Sequence, residues 1–430
     1  MSRGVVMDFL QLSLLFCLAL IYGWVLYNLP AFLVGVKCMY RRNGEKTRKE
    51  ERSWNIKGRL PYVSILVPVK DEEKVIERLL KALLRLDYPK SRMEIIIVED
   101  GSKDKTPEIC MRFVEDYPGI VRYFHRSTSN GKPSALNYGL KHARGEIVAV
   151  FDADNVPKPD TLLRVIKYFE DPSVAAVQGT TCAINADKNM LTKLVSYEEA
   201  LWLKNYVQGK DKLSLFVPLT GSCQFIRREV AEEVGGWNEK FLSEDVEMSA
   251  KLTERGHNIR YAPDIISWQE VPSNLTQLIK QRIRWNRGFM EVAIKYGRLL
   301  RKFRRKTIDA EITLIGPYIQ VFILMNYLLW IYILLFHVDL NPIIINLTSA
   351  TAFLTTLTLF IAGVALTYIT KPRRIRNILW LPFLQVYWFL ECCLTFYALL
   401  QVIFKCPSRW VKTEKTGECT EESVKALLNI

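Results

Sequence analysis

Four apolar stretches, residues 9–36, 312–338, 343–370 and 378–404, bracket a more polar block of the chain. Each is long enough to consider as a span of a hydrocarbon core roughly 30 Å thick, so a fold must place them in lipid or bury them against one another. The 430 residues then leave room for one soluble domain of ordinary size. Arg3 ahead of the first stretch resembles a signal peptide. That run is longer than a typical signal core, and no small-residue cleavage site follows it before a basic segment, so a retained anchor over residues 1–36 is expected.

The net charge of +14 sits in two places. Residues 37–59 hold nine basic and three acidic side chains, and residues 280–306 hold eleven basic and one acidic. The remainder is slightly acidic. Both clusters adjoin apolar stretches on one side, as the positive-inside rule requires of a cytoplasmic domain, and contact with anionic headgroups accounts for them. No nucleic-acid-binding signature accompanies the charge, so nucleic acid is not an expected partner. The nine cysteines form no CxxC pair, and Cys110, Cys182 and Cys223 read as thiols filling apolar space in a reduced compartment. The four histidines are scattered, and no zinc site is expected.

After the basic linker, residues 37–60, strand and helix patterns alternate. Residues 63–69 and 95–98 read as buried strands, 72–86 as a helix, and 131–143 as another. A helix starts at Asp104-Lys105-Thr106-Pro107, with Asp104 a cap and Pro107 in the first turn. Residues 147–151 form a strand that ends at Asp152. This order predicts a mostly parallel sheet with helices on both faces, whose ligands bind beyond the carboxyl ends of the strands. Asp100 and Asp152 lie at such ends. Residues 278–300 mix apolar and cationic side chains, as one or two helices in a membrane interface do.

Asp152-Ala153-Asp154 offers two carboxylates on a turn that can hold a hard divalent cation and, through it, a diphosphate; a capped turn is the plainer reading. No P-loop motif is present as an alternative phosphate cradle. Pro68-Val69-Lys70-Asp71-Glu72 and Glu99-Asp100-Gly101-Ser102 end the first two strands. Their acids can cap the next helices, and Asp71 and Asp100 can also accept hydrogen bonds from a nucleobase and ribose. Lys132 in Gly131-Lys132-Pro133-Ser134 stands at a helix start, where an anionic diphosphate is favoured. Ser243-Glu244-Asp245 opens a helix. It is either an acidic first turn or the source of a general base, Asp245, whose pKa the helix dipole lowers unless burial opposes it. In Gln281-Arg282-Ile283-Arg284-Trp285, Trp285 can anchor an interface or stack on a sugar, and the arginines can meet a diphosphate.

Taken in order, these motifs resemble family 2 of the glycosyltransferases, specifically its membrane-integrated cellulose, hyaluronan and poly-N-acetylglucosamine synthases. Those enzymes carry a nucleotide-binding Asp, DxD, a TED-like acid and Q(Q/R)xRW. Here these read Asp100, Asp152/Asp154, Ser243-Glu244-Asp245 (Ser for Thr) and Gln281–Trp285. The resemblance covers roughly residues 62–289. It implies a GT-A fold, a UDP-sugar donor, Mg²⁺ or Mn²⁺ on Asp152 and Asp154, and inversion at the anomeric carbon. It assigns Asp245 and Glu244 to catalysis. Pro68, Asp71, Asp100, Lys132, Asp152, Gln281, Arg282, Arg284 and Trp285 fall to the nucleotide. Trp410-Val411-Lys412-Thr413-Glu414-Lys415 looks like the gating pattern Phe-x-Val-Thr-x-Lys of cellulose synthases, which adds Thr413 and Lys415. Thr220-Gly221-Ser222-Cys223 looks like the acceptor-lining segment, giving Gly221, Ser222 and Trp285 as acceptor contacts.

The expected layout is an α/β, Rossmann-like mixed-sheet GT-A domain at residues 61–270, interface helices at 271–310, a membrane region at 311–405 and a tail at 406–430. A full span at 378–404 would put the tail on the wrong side to gate a cytosolic nucleotide. Pro382 and Glu391 in that stretch favour an interfacial or re-entrant path instead. The expected function is a processive inverting synthase of a β-linked polysaccharide, an integral membrane protein with its catalytic domain in the cytoplasm. Its partners are a UDP-sugar, a glycan or lipid-linked acceptor and the bilayer. The alternatives are a single transfer that makes a glycolipid, and a non-catalytic membrane scaffold or lipid-binding protein.

Overall fold

The structure, a computed structural model, describes residues 3–45, 59–297, 303–369, 375–407 and 413–418. Trp410, Val411 and Lys412 of the gating pattern lie outside the described residues, as do parts of both basic segments. The chain opens with α1 (Arg3–Glu45), then β1 (Val63–Val69), α2 (Ile76–Leu84), β2 (Met93–Glu99), α3 (Thr106–Asp116) and β3 (Val121–His125). It continues through α4 (Lys132–His142), β4 (Ile147–Val150), β5 (Val156–Pro157), α5 (Thr161–Phe169) and β6 (Val174–Ala183). A long helical run follows: α6 (Met190–Ala200), a π-helical stretch Leu201–Val207, and α7 (Gln208–Lys212). Then come β7 (Gln224–Arg227), α8 (Arg228–Glu233), α9 (Glu244–Arg255), β8 (Asn258–Gln269), α10 (Leu275–Tyr296) and α11 (Arg305–Leu314). The chain ends in three apolar helices, α12 (Gly316–Phe336), α13 (Pro342–Ile369) and α14 (Leu381–Ile403).

The eight strands form one sheet in the order β3-β2-β1-β4-β7-β6-β8-β5. β1 pairs parallel with β2, from Val63 opposite Met93 to Val69 opposite Glu99, and parallel with β4 on its other side. These central strands read as near-continuous apolar runs because both faces are covered. Alternate residues serve the two faces: Val63, Ile65 and Val67 pack with Leu79 and Leu83 of α2, whereas Leu66, Ile96 and Val98 pack with Leu136 and Leu140 of α4. The expected parallel arrangement holds for this half. Beyond it the sheet is mixed, because β7 runs antiparallel between β4 and β6. The helix expected over 72–86 occupies Ile76–Leu84, and Asp104, two residues before α3, accepts the Thr106 N–H at 2.9 Å.

Among the described residues, four helices are long and apolar enough to cross a membrane, over Phe9–Arg41, Gly316–Phe336, Pro342–Ile369 and Ile375–Ile403. α1 docks on the helical run α6–α7 at near backbone contact. A Cβ on Gly209 would overlap the Ala31 carbonyl, and one on Gly35 would overlap Asn205. Tyr27 Oη donates to Asp309 Oδ1 at 3.0 Å, and Asp309 in turn pairs with Lys210 Nζ at 3.0 Å in the same buried junction. At its other end α1 meets the α12–α13 turn, where Gln11 Nε2 donates to the Asp339 carbonyl.

α14 takes a different course. Before it, Asn377 Oδ1 accepts from Tyr197 Oη of α6 at 3.2 Å, and Trp380 packs edge-on to the same tyrosine. Midway, Tyr387 donates to Glu198 at 2.9 Å and Glu391 lies 3.4 Å from Arg282 of α10. After it, the Cys406 carbonyl accepts from Arg287 of α10 at 2.6 Å. Both ends of this helix are therefore tied to the α/β body, and the chain that follows can return to the catalytic face.

Candidate active site

The loops at the carboxyl ends of β1, β2 and β4 make the floor of the site. Pro68 lies inside β1 opposite Val98, and Asp71 follows in a left-handed conformation, φ +53°. Asp71 donates its N–H to Ser102 Oγ at 2.9 Å and accepts the Lys103 N–H at 2.7 Å. Asp100 Oδ2 accepts from Ser129 Oγ at 2.8 Å and from the Gly131 N–H at 2.9 Å, and Arg126 Nε lies 3.4 Å from Oδ1. These two acids knit the β1, β2 and β3 loops into one rim. Buried Glu99 supports the rim from below: His125 Nδ1 is 2.5 Å away, and the Ser102 and His125 hydrogen bonds outweigh burial to hold its carboxyl below the usual range.

Lys132, the first residue of α4, organises the centre. Its Nζ lies 2.6 Å from Asp152 Oδ1 and 3.5 Å from Glu244 Oε1, and donates to the Gly221 carbonyl at 2.9 Å. Burial works against its charge, but the carboxylates of Asp152 and Glu244 hold its pKa above the ordinary lysine value. Ser222 Oγ accepts the Asp152 N–H at 3.0 Å. Gly221, at φ +79°, brings its backbone so near Asp245 that a Cβ would stand 3.1 Å from Oδ2. At the start of α9, burial and then the neighbouring Glu244 push the Asp245 carboxyl up to about 7, with Lys132 opposing. The helix dipole does not win here. A close approach fixes this loop: a Cβ on Gly288 of α10 would overlap Ser243.

The two arginines of Gln281–Trp285 face different surroundings, as residues two apart on a helix must. Arg284 is partly buried near Glu244, Asp245 and Asp152, and desolvation lowers its pKa despite their charge. Arg282 instead bonds Glu198 at 2.6 Å and lies 3.4 Å from Glu391, with its guanidinium 4.7 Å from the Trp285 ring centre. Gln281 is buried, and Trp285 is partly exposed. The expected set thus gathers Lys132, Asp152, Gly221, Ser222, Glu244, Asp245 and Arg284 in one place, whereas Arg282 joins α10 to α6 and α14.

Asp154 points to a second cluster. Its Oδ2 is 2.7 Å from Lys415 Nζ and accepts the Glu270 N–H at 3.0 Å, contacts that hold its carboxyl below the usual range against burial. Arg78 donates to the Asp154 carbonyl at 3.1 Å and to Glu270 Oε1 at 3.2 Å. Glu270 and Arg78 were missed from sequence. Glu270 carries the same signal as Asp100 and Asp152, an acid just past the carboxyl end of a strand. Glu199, also missed, has a buried oxygen without a hydrogen-bond partner, and burial raises its carboxyl to about 7.

The donor chemistry of Asp152 and Asp154 fits a hard divalent cation. No three His, Cys, Asp or Glu side chains gather as a ready ligand set among the described residues, so diphosphate oxygens would have to complete the coordination. The ammonium groups of Lys132 and Lys415, one on each carboxylate, mark where the site holds positive charge.

Residues 61–288 match the model of the family described as "Glycosyltransferase like family 2". Among curated relatives, a probable glycosyltransferase of Bacillus subtilis, YdaM, is 34% identical over 68% of this chain and 69% of its own. The β-monoglucosyldiacylglycerol synthase of Nostoc is 36% identical over 61% of this chain, a match spanning only 57% of that enzyme's length. The poly-β-1,6-N-acetyl-D-glucosamine synthase of Staphylococcus epidermidis is 29% identical over 67% of each chain. Among solved structures, a Pyrobaculum calidifontis mannosyltransferase in complex with GDP-Man and Mn²⁺ superposes over 90% of this chain and 100% of its own. The TM-score is 0.58 at 21% identity, which establishes a shared GT-A fold. With more than half its length matched, and a sheet of the GT-A type beneath the acidic loops, this chain is a member of glycosyltransferase family 2.

Proposed function

We propose that the protein is a membrane-integrated, inverting transferase that takes sugar from a cytosolic UDP-sugar and extends a β-linked glycan processively. The observation that carries the chemistry is Asp245. Its half-buried carboxyl, raised to about 7, is a base near neutrality beside the Gly221–Ser222 backbone. In the step we assign, Asp245 takes the proton of an acceptor hydroxyl while that oxygen bonds to the anomeric carbon from the face opposite the diphosphate. The bond from that carbon to the phosphate oxygen breaks, and its electron pair leaves with UDP, inverting the centre. Lys132 and Arg284 supply positive charge at the departing diphosphate. Asp152 and Asp154 would hold a divalent cation whose role is to neutralise the same leaving charge. Asp71, Asp100 and Pro68 form the nucleoside end, and Trp285, oriented by Arg282, stacks on the acceptor.

Processive extension requires UDP to leave and new donor to enter while the glycan stays bound. The tail segment 413–418, seated at Asp154 on the catalytic side, supports a gate of that kind. The basic segments 37–59 and 280–306 adjoin apolar stretches in the sequence, which supports a cytoplasmic orientation. A second reading, one transfer that yields a glycolipid, is favoured by the higher identity to the β-monoglucosyldiacylglycerol synthase. Radiolabelled UDP-glucose and UDP-N-acetylglucosamine, supplied to enzyme in lipid, distinguish the two. High-molecular-weight, glycosidase-sensitive material is expected, and a lipid-extractable product carrying a single sugar would replace the polymer with the glycolipid.

A further inference from the structure

The segment 413–418 is bound to Asp154 by contacts the transfer step does not use. Lys415 Nζ lies 2.7 Å from Asp154 Oδ2 and donates to the Glu270 carbonyl oxygen at 2.9 Å. Thr416 donates to Glu270 Oε2 through its N–H at 2.9 Å and its hydroxyl at 3.1 Å, and the Gly417 N–H reaches Glu270 Oε1 at 3.2 Å. Arg78 steadies the same carboxylate from the other side at 3.2 Å. Gly417 sits at φ +69°, where a Cβ would stand 2.7 Å from the Lys74 carbonyl, so a larger residue would lift the strap from its seat. Lys188 pairs with Glu418 beyond it.

A divalent cation on Asp154 would lie roughly 2.1 Å from its carboxylate oxygen. An ammonium already at hydrogen-bond distance from that oxygen cannot stay beside it, because like charges in contact within a dry site repel strongly. We propose that Lys415 is the resident counter-ion of Asp154, that a divalent cation must displace it, and that Glu270 is the positioning residue that seats it. This rests on the reading of Asp152 and Asp154 as the metal–diphosphate site. Metal alone then binds weakly, because it must break the ion pair between Lys415 and Asp154. A nucleotide diphosphate offers the displaced ammonium a new anionic partner, so metal and nucleotide bind cooperatively.

The test is Mn²⁺ binding to the full chain in detergent, followed by the paramagnetic resonance signal of free aqueous Mn²⁺, with and without UDP. Without UDP, Lys415→Ala is expected to tighten Mn²⁺ binding by roughly fivefold to fiftyfold, within the usual span of coupling between linked sites, while Lys415→Arg behaves as the unmodified protein. Gly417→Ala, which keeps every charge, is expected to tighten it in the same direction. UDP should narrow the gap between these variants and the unmodified protein. Unchanged or weaker Mn²⁺ binding by Lys415→Ala would overturn the competition. Tightening by Lys415→Ala but not by Gly417→Ala would overturn the role of the Glu270 seat. The site itself is checked separately: if Asp154→Ala binds Mn²⁺ with UDP as tightly as the unmodified protein, the metal reading fails, and the competition with it.

Discussion

At the scale of single residues, the proposed base Asp245 sets the pH dependence expected of the site. Unfolded, an aspartate titrates near ~3.9, and in the fold this one is raised to about 7 by burial and Glu244. Between those values the folded state holds a proton that the unfolded state has lost, so this group's contribution to stability falls as pH rises through the window. Activity runs the other way, because a base must be ionised. The kcat/KM for sugar transfer is expected to climb with pH and level off above about 7, and a profile flat from pH 5 to 8 would remove Asp245 from that role. Its place in the first turn of a helix was legible in the sequence from Ser243-Glu244-Asp245. The direction of its pKa was not, since the dipole and burial oppose each other and only packing reveals which dominates. Glu270 shows a related limit. Its position past a strand end was visible, but its partners Arg78, Thr416 and Gly417 lie far away in sequence, and no local pattern joins them.

At the scale of elements, α10 does two jobs with neighbouring arginines. Arg282 closes a buried network with Glu198 of α6 and Glu391 of α14, whereas Arg284 faces Glu244, Asp245 and Asp152. Arg282→Ala should therefore act on the fold: leaving buried Glu391 and half-buried Glu198 without their cation costs about 3 kcal/mol, seen as a large drop in melting temperature. Arg284→Ala, which leaves Lys132 on Asp152 and Glu244, should lower melting much less and weaken UDP binding, measured by calorimetry. Equal losses of UDP affinity in both variants, with melting preserved, would show that both arginines meet the diphosphate. Sequence gave the periodicity of α10 but not this division of labour, because which face meets α14 depends on where α14 lies. The strands tell the same story. β1, β2 and β4 announce themselves as apolar runs, while β7 has four residues, too few for a period, and its antiparallel insertion turns a parallel sheet into a mixed one.

At the scale of the whole molecule, the apolar helices and the GT-A body fix each other's orientation. The α12–α13 turn meets the start of α1 through Gln11 and Asp339, while Tyr27, Ala31 and Gly35 of the same helix pack against the α/β body. α14 keeps both its ends on that body and segment 413–418 sits at Asp154, contacts that favour the interfacial or re-entrant path over a full span. Single cysteines introduced at the exposed positions Lys103, Glu414 and Asp339, in a background without accessible thiols, test this in sealed vesicles. The first two are expected to react with an impermeant reagent from one side and the third from the other, and labelling of Glu414 with Asp339 would restore a full span.

The central claim, that a half-buried Asp245 drives sugar transfer from a UDP-linked donor, is tested most directly by Asp245→Asn, measured for transfer rate and for UDP affinity in the same preparation. A general base contributes roughly 10²–10⁴-fold to rate and little to ground-state binding. The account predicts transfer reduced by at least about 100-fold with UDP binding unchanged or slightly tighter. Transfer preserved while UDP affinity falls would contradict it.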